Sequence, residues 1–257
     1  MSKLKFGCLY CSAIVLLLMS QYSNAGSVNL IQNGDFEING GGGQIASNTT
    51  VGSWTVGGKE GQWGGQTTAP VFLFPAGTGQ TGVAGDSFMG TVSFWAATDS
   101  PTGGAYIAAD GSPGWDGSIS QVVGGLTAGN TYTVEFDWAG GQQQGYDGAT
   151  TEAWSVTFGS STQSTSTVNV ANHGFSGWSH ESLSFTAGSS SQILSFLAVG
   201  TPGGLPPWLF LDGVIVKDQS SGPPGPSPVP EPSTLAIVAV GALGLIARRI
   251  GQKANRA

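Results

Sequence analysis

The stretch NTYTVEFDWAG, residues 130–140, decides the fold class of this chain. Its large apolar side chains, Tyr132, Val134, Phe136 and Trp138, alternate with polar or acidic ones, which is the period of two of a half-buried β-strand. Similar stretches follow, bounded by glycine, serine or asparagine: AWSVTFG (153–159), ESLSFTA (181–187), QILSFLAV (192–199) and WLFLDGVIV (208–216). About ten short strands without helical periodicity predict an all-β fold, a single antiparallel jelly-roll β-sandwich.

The N-terminus has the layout of a secretory signal peptide over residues 1–25. Lys3 and Lys5 precede an apolar core from Cys8 to Met19, and the small residues that follow predict cleavage by signal peptidase after Ala25. An N-terminal membrane anchor is the alternative, but an apolar core of about 12 residues is short of the ~20 that a span needs. We therefore expect an exported protein.

The composition of the domain that follows, residues 26–221, excludes several classes of function. Both cysteines, Cys8 and Cys11, lie in the signal, so the mature protein has no disulfide framework, thiolate metal site or cysteine nucleophile. The domain holds two lysines, no arginine and fourteen acidic residues, a net charge of −12. This acidity argues against nucleic-acid binding, because the domain and a phosphate backbone repel each other. The lack of arginine removes the usual bidentate clamp for carboxylate or phosphate ligands.

The C-terminus combines a proline-rich spacer, a glutamate between two prolines, and a short apolar run closed by arginines. These features occupy residues 222–229, Pro230-Glu231-Pro232, about 233–247, and Arg248-Arg249. At ~1.5 Å per residue the apolar run reaches only ~22 Å, short of a ~30 Å hydrocarbon core. We expect a short transmembrane helix with its arginines in the cytoplasm. A plain C-terminal anchor is the alternative.

The segment from 230 to 257 resembles the PEP-CTERM sorting signal of Gram-negative bacteria, on the Pro-Glu-Pro motif, the apolar run and the arginine pair. The resemblance implies that exosortase, a membrane protease, cuts the tail and passes the protein to the cell surface. Attachment to the membrane by the C-terminal helix is then transient. The resemblance also implies an association with exopolysaccharide and biofilm.

Three motifs in the domain resemble carbohydrate-binding-module-like, galactose-binding-like jelly rolls. They are NLIQNGDFE (29–37), SQVVGGLTAGNTYTVEFDWA (120–139) and LFLDGVIV (209–216). The resemblance covers roughly residues 28–218, with the motifs in the expected order. It implies the fold without fixing a ligand.

The same resemblance implies a structural calcium ion between the N-terminal element and the last strand. Carried over to this sequence, its ligands are Asp35, Glu37 and Asp212, although a glycine replaces the acid that usually follows the last of these. Calcium takes six to eight oxygens, so backbone carbonyls are needed as well. A solvated acid or a turn cap is the alternative. Asp110 and Asp116 are candidates for a second cation.

Two tryptophans in glycine-rich segments are the candidate ligand-binding residues. Trp63 in GKEGQWGGQ and Trp115 in DGSPGWDG have little to pack against, which leaves an indole face free to stack on a sugar ring. They predict binding of extracellular polysaccharide. The remaining aromatic pattern places Trp138 and Trp154 in the core, and leaves Trp178 and Trp208 as weaker candidates.

Candidate catalytic groups are sparse, so we expect a non-catalytic protein. Glu135 and Asp137 lie ~7 Å apart on one strand face, near the spacing of an inverting glycosidase, but a polar outer face explains them more simply. The block GDSF, containing Ser87, resembles the nucleophile block of GDSL hydrolases, with His173 or His180 as base. Neither histidine has that family's Asp-x-x-His spacing. A structural surface protein, a carbohydrate-binding module and a hydrolase remain as hypotheses.

Overall fold

Fourteen β-strands and no α-helix form the regular structure of residues 28–58 and 69–219, the part of the chain that this computed structural model describes. The strands are β1 (Gly43–Gln44), β2 (Thr55–Gly58), β3 (Val71–Phe74), β4 (Val83–Ala84), β5 (Thr91–Val92), β6 (Tyr106–Asp110), β7 (Gly117–Gly124), β8 (Thr131–Gln142), β9 (Thr150–Phe158), β10 (Ser161–Ser164), β11 (Val168–Val170), β12 (Ser179–Thr186), β13 (Ser191–Thr201) and β14 (Pro207–Asp218). The expected signal peptide, Trp63 and the C-terminal segment lie outside these ranges. Within them, no helix is long and apolar enough to span a bilayer.

Twelve of the strands form two antiparallel sheets that pack face to face, and β4 and β5 form a separate two-stranded hairpin. The first sheet has the order β1-β3-β6-β14-β8-β12, and the second has the order β10-β9-β13-β7-β2, with β11 also paired to β9. From β6 to β9, and again from β12 to β14, successive strands alternate between the sheets. This alternation is that of a jelly roll, so the predicted fold class is confirmed. The strand count exceeds the expected ten because several strands are only two to four residues long.

The main core lies between the sheets and contains the apolar face of the stretch that predicted the fold. Val134 and Phe136 are fully buried on β8, and Trp138 is 3% exposed. Phe136 meets Phe196 of the second sheet edge-on, with ring centroids 5.0 Å apart, and Trp154 meets the same ring at 5.9 Å. The core positions predicted for Trp138 and Trp154 are therefore confirmed.

A second aromatic core lies on the outer face of the first sheet. It comprises Phe72, Phe74, Phe94, Tyr106, Trp208 and Phe210 together with smaller apolar side chains. Strands β3 and β6 are buried on both faces, because their alternate residues belong to the main core. Loops following β3 cover this second core, so the molecule has a third layer on one side. The β4–β5 hairpin, which supplies Phe88 to the cleft described below, belongs to that layer.

Glu152 is a buried acid on the inward face of β9, on the side of the strand that carries Trp154. Neither of its carboxylate oxygens has a hydrogen bond, and neither does the hydroxyl of Thr150, two residues earlier on the same face. The backbone of Gly140 approaches so closely that an added Cβ would lie 3.0 Å from Oε2. Burial raises the pKa of Glu152 to about 7, and the nearby Thr150 hydroxyl only partly offsets that rise.

Candidate functional site

Trp115 stands on a tight turn between β6 and β7. In the sequence Ser112-Pro113-Gly114-Trp115, the amide of Trp115 donates to the carbonyl of Ser112 at 2.8 Å, and Gly114 has φ of 90°. Proline at the second position and a positive-φ glycine at the third are the requirements of a type II turn. The turn holds the indole half-buried at the surface instead of in the core.

Phe88 reaches the same place from the tip of the β4–β5 hairpin. The Asp86 carboxylate accepts hydrogen bonds from the amides of Phe88 at 3.0 Å and Met89 at 2.8 Å, which fixes the tip. The Phe88 and Trp115 rings stack with centroids 5.4 Å apart and an interplanar angle of 22°. Phe88 is nevertheless 46% exposed, so the stacked pair presents aromatic surface to solvent.

The stacked pair is one wall of a cleft of about 410 Å³. Tyr146, 37% exposed on the β8–β9 loop, and Pro206, on the β13–β14 loop, also line it. Four separate connections thus supply the cleft, one of them the hairpin of Phe88. Its volume lies within the range of small-ligand sites, ~300–1,000 Å³.

Polar groups are fixed at the floor of the cleft by the second aromatic core. The fully buried Trp208 donates its indole N–H to the Gln143 side-chain oxygen at 3.0 Å. This bond orients the Gln143 amide, whose nitrogen forms no hydrogen bond within the described residues. Asp110, at the end of β6, is 4% exposed and accepts a hydrogen bond from the Ser112 amide at 2.7 Å.

Asp110 is the titratable group of the cleft near neutral pH. Burial raises its pKa to about 6, with a smaller contribution from the negative charge of Asp116, while hydrogen bonds from Ser112 oppose the rise. The carboxyl is therefore ionised and a hydrogen-bond acceptor at pH 7, and it becomes protonated in mild acid.

This arrangement suits an uncharged polyhydroxylated ligand. Aromatic faces bury the apolar C–H surface of a sugar ring, while an ionised carboxylate and an amide accept and donate hydrogen bonds to its hydroxyls. Among the described residues, no cationic side chain lines the cleft, and Lys217, on β14, is the only lysine or arginine. Uronate or sulfate groups would find no counter-charge there.

The tryptophans predicted as ligand-binding residues have different positions. Trp115 lies in the cleft, where its role as a ligand-binding residue stays a prediction, and Trp63 lies outside the described residues. The weaker candidate Trp208 is fully buried and supports the floor from below. Trp178 packs against Phe210 and donates its indole N–H to the carbonyl of Thr98 at 3.1 Å.

Two of the three carboxylates expected to bind calcium contact the 100–105 loop, and the three do not form one cluster. The carboxylate of Glu37 accepts from the amide of Ala105 at 2.6 Å, and the fully buried Asp212 accepts from the Thr102 hydroxyl and the Gly213 amide. Asp35 is exposed. Burial raises the pKa of Asp212 to about 6, aided by the Asp137 charge and opposed by its hydrogen bonds. Across residues 28–58 and 69–219, no three acidic, histidine or cysteine side chains are grouped as a metal site requires.

The candidate catalytic carboxylates and both histidines form ion pairs or hydrogen bonds with nearby side chains. The Lys217 ammonium donates to Glu135 at 2.7 Å, and His180 Nδ1 lies 3.0 Å from the Asp137 carboxylate. His173 Nε2 lies 2.6 Å from Asp147. In the described part of the chain, no hydrogen bond joins Ser87 to either histidine.

Phe88, Tyr146 and Gln143 were not anticipated as parts of a site. For Phe88 and Tyr146, the sequence does contain a pattern that could have identified them. Phe88 lies between Gly85 and Gly90, and Tyr146 follows Gly145, so both are aromatic residues in short glycine-bounded loops, the feature that singled out Trp115. Gln143 gives no such signal, because only its bond to Trp208 fixes its orientation.

Comparison with known proteins identifies a sorting motif in the C-terminal tail. Residues 228–250 match the PEP-CTERM protein-sorting motif, so the chain carries a signal for export and the cell surface. No curated protein matches the chain in sequence.

Several solved carbohydrate-binding proteins are similar in structure. TmCBM61, solved in complex with β-1,4-galactotriose, has 18% identity and a TM-score of 0.40, covering 75% of this chain and 100% of its own. A family 4 carbohydrate-binding module has 20% identity and a TM-score of 0.35, covering 74% and 99%. A protein from Bacteroides thetaiotaomicron that is named as sugar-binding has 12% identity and a TM-score of 0.34. The match covers 75% of this chain and 100% of that protein. At these identities the similarity concerns the fold.

Proposed function

We propose that this protein is an exported, exosortase-processed surface protein that binds a neutral extracellular polysaccharide without hydrolysing it. The observation that carries the binding proposal is the exposed Phe88–Trp115 stack beside the fixed polar groups Asp110 and Gln143. Fully buried aromatic residues need no ligand, whereas a 46% exposed phenylalanine stacked on a half-buried indole leaves apolar surface in water. A pyranose ring covers such a surface and offers hydroxyls to the floor.

The ligand class follows from charge and size. The domain carries a net charge of −12, and the cleft contains a carboxylate, so an acidic polymer is repelled over long and short range. A cleft of about 410 Å³ holds one or two sugar rings of a longer chain. We therefore favour neutral hexose or pentose polymers over uronate-rich or sulfated ones.

Affinity electrophoresis of the full chain through gels containing galactan, xylan, glucomannan or soluble cellulose tests the proposal. We expect retardation in at least one neutral polymer and none in alginate or a sulfated galactan. Trp115→Ala should weaken binding by about tenfold to hundredfold, the range for losing a central aromatic contact. Trp115→Phe should retain part of the binding, because a smaller ring can still stack on Phe88.

Ile38→Ala is the matched control, since it shortens an exposed side chain that does not line the cleft and should leave binding unchanged. Thermal unfolding of each variant verifies that the domain is folded. Wild-type protein that migrates freely in every polymer would eliminate the binding proposal. The protein would then be a structural surface protein, the main alternative. Release of reducing sugar that is lost in Asp137→Asn would instead support a hydrolase.

A further inference from the structure

The outer face of the second sheet carries no charged side chain among the described residues. Among the described residues of β2, β7, β9, β10, β11 and β13, Glu152 is the only charged one, and it points into the core. The first sheet differs sharply, since Glu135, Asp137, Glu181 and Lys217 lie on its strands with exposed or half-exposed side chains. We call the outward side of β2, β7, β9, β10, β11 and β13 the uncharged face.

Aliphatic side chains run along the middle of the uncharged face. Strand β13 is the central strand of the sheet, and it points Ile193, Leu197 and Val199 outward, with the first 55% and the last 45% exposed. Val122 of β7, 67% exposed, is in register with Ile193 and widens the apolar strip. Exposed aliphatic side chains are ordinary singly but are informative when contiguous on a sheet.

Hydroxyl-bearing side chains border this strip on both sides. In the strand register Leu197 lies between Ser118 of β7 and Ser155 of β9. Ser195 of β13, one step along the same face, lies between Ser120 and Thr157. An apolar centre with a polar rim is the anatomy of a protein–protein interface, in which charged residues are depleted at the centre.

We propose that the uncharged face binds a second copy of this chain, so that two sandwiches pack through their second sheets about a two-fold axis. A domain with a net charge of −12 repels its own copies through any charged surface, and this face is where two copies meet without that repulsion. Rows of hydroxyls, which both donate and accept, are self-complementary across a two-fold axis. The face carries no outward aromatic ring within the described residues, so it lacks the stacking surface that a sugar would use.

The size of the face fits a weak dimer. The six strands of the face contain 39 residues, and at ~4.8 Å by ~3.4 Å per residue they cover ~640 Å² per copy, or ~1,300 Å² in total. Specific interfaces begin near ~1,200 Å², so we expect dissociation in the micromolar range, about 1–100 μM. The proposal is independent of the sugar cleft, because none of the residues that line the cleft lies on the strands of this face.

Sedimentation velocity of the full chain in detergent, from about 1 to about 500 μM, measures this dissociation constant directly. Ile193→Asp and, separately, Val122→Asp place like charges opposite each other across the axis and should raise it at least ~100-fold. Both positions are more than half exposed, so the variants should keep the wild-type melting temperature. Because the tail is unchanged, association through the C-terminal segment would survive in both variants.

Ile38→Asp is the matched control, because Ile38 is an aliphatic residue that is 69% exposed away from the sheet. It should dimerise like the wild type. Raising the salt concentration should strengthen the wild-type dimer, since salt screens the repulsion between acidic domains. The proposal is overturned by a wild-type protein that is monomeric throughout the range. It is also overturned by Ile193→Asp and Val122→Asp variants that associate like the wild type, or by a dimer that salt dissociates.

Discussion

Replacing the buried Glu152 by glutamine should benefit the stability of the protein more above neutral pH than in acid. The carboxyl is fully buried and has no hydrogen bond, so its ionised form is poorly solvated in the native state. Its pKa rises from 4.5 to about 7 on folding. The native state therefore binds more protons than the unfolded state between these values. Stability falls as the pH increases from 4.5 to about 7, then levels off.

The magnitude follows from the size of that pKa shift. A rise from 4.5 to about 7 corresponds to ~3 kcal/mol of stability lost on ionising Glu152, at ~1.4 kcal/mol per pKa unit. Glutamine is close in shape to the protonated acid but does not ionise. Any fixed cost of burying its amide is the same at every pH. It therefore cancels when the Glu152→Gln effect at pH 8.5 is compared with that at pH 4.5, which leaves ~3 kcal/mol.

Denaturant unfolding of wild type and Glu152→Gln at pH 4.5 and 8.5 measures the difference. For a domain of this length, ~3 kcal/mol means that the melting temperature of the variant relative to wild type should be ~6–12 °C higher at pH 8.5 than at pH 4.5. Glu181→Gln, at a half-exposed position on β12, is the control and should shift stability by less than ~0.5 kcal/mol at both pH values. Parallel pH profiles for wild type and Glu152→Gln would refute the reasoning, because the carboxyl would then not titrate from a buried position.

Three further predictions concern the cleft, the calcium ligands and the tail. Asp110 should lose its role as an ionised acceptor as the pH falls through about 6. Polysaccharide affinity should thus decrease between pH 7 and pH 5 in the wild type, whereas Asp110→Asn should bind weakly and without that pH dependence. Affinity electrophoresis that gives the same dependence on pH for both proteins would argue against this role of Asp110. If Asp35, Glu37 and Asp212 bind calcium with help from backbone carbonyls, calcium at a hundred times its dissociation constant should add ~2.7 kcal/mol to stability. A melting temperature that is the same in calcium and in chelator would contradict this. Replacing Pro230, Glu231 and Pro232 together with alanine should leave the full-length chain in the inner membrane. The intact mass of the wild-type surface form should lack Arg248, Arg249 and the residues after them, and a surface protein that retains them would identify the tail as a plain anchor.

The fold could be predicted from the sequence because it depends on short-range alternation. The stretch around Phe136 has its apolar residues at every second position, and the structure buries that face between the sheets. The same alternation along a strand also predicts that the side chain of Glu152 points into the core. Counting back by two from Trp154 on β9 places an acid and then Thr150 on the inward face, and the structure has both there.

The cleft could be predicted only in part, because its residues come from four connections far apart in the sequence. Trp115 gave a local signal, a tryptophan on a Pro-Gly turn. Its contact with Phe88 depends on the β4–β5 hairpin folding over the first sheet, which no local pattern indicates. For Trp208, the sequence suggested an exposed loop position, whereas the structure buries this residue completely. Its position after two prolines looks like a loop, but it is the second residue of β14 and belongs to the second aromatic core.

The central position of β14 determines how the domain would bear mechanical load. This strand is the last before the proline-rich spacer, and it is hydrogen-bonded to β8 on one side and to β6 on the other. Near its end, Val216 also bonds the N-terminal segment, through the amide of Leu30 at 2.9 Å and the side chain of Asn29 at 3.0 Å. Antiparallel ladder bonds run perpendicular to the strand, so a pull along β14 strains many of them together. An edge strand would peel away one bond at a time. A domain held at a cell surface by its C-terminal end is thereby attached through the strand that resists traction best.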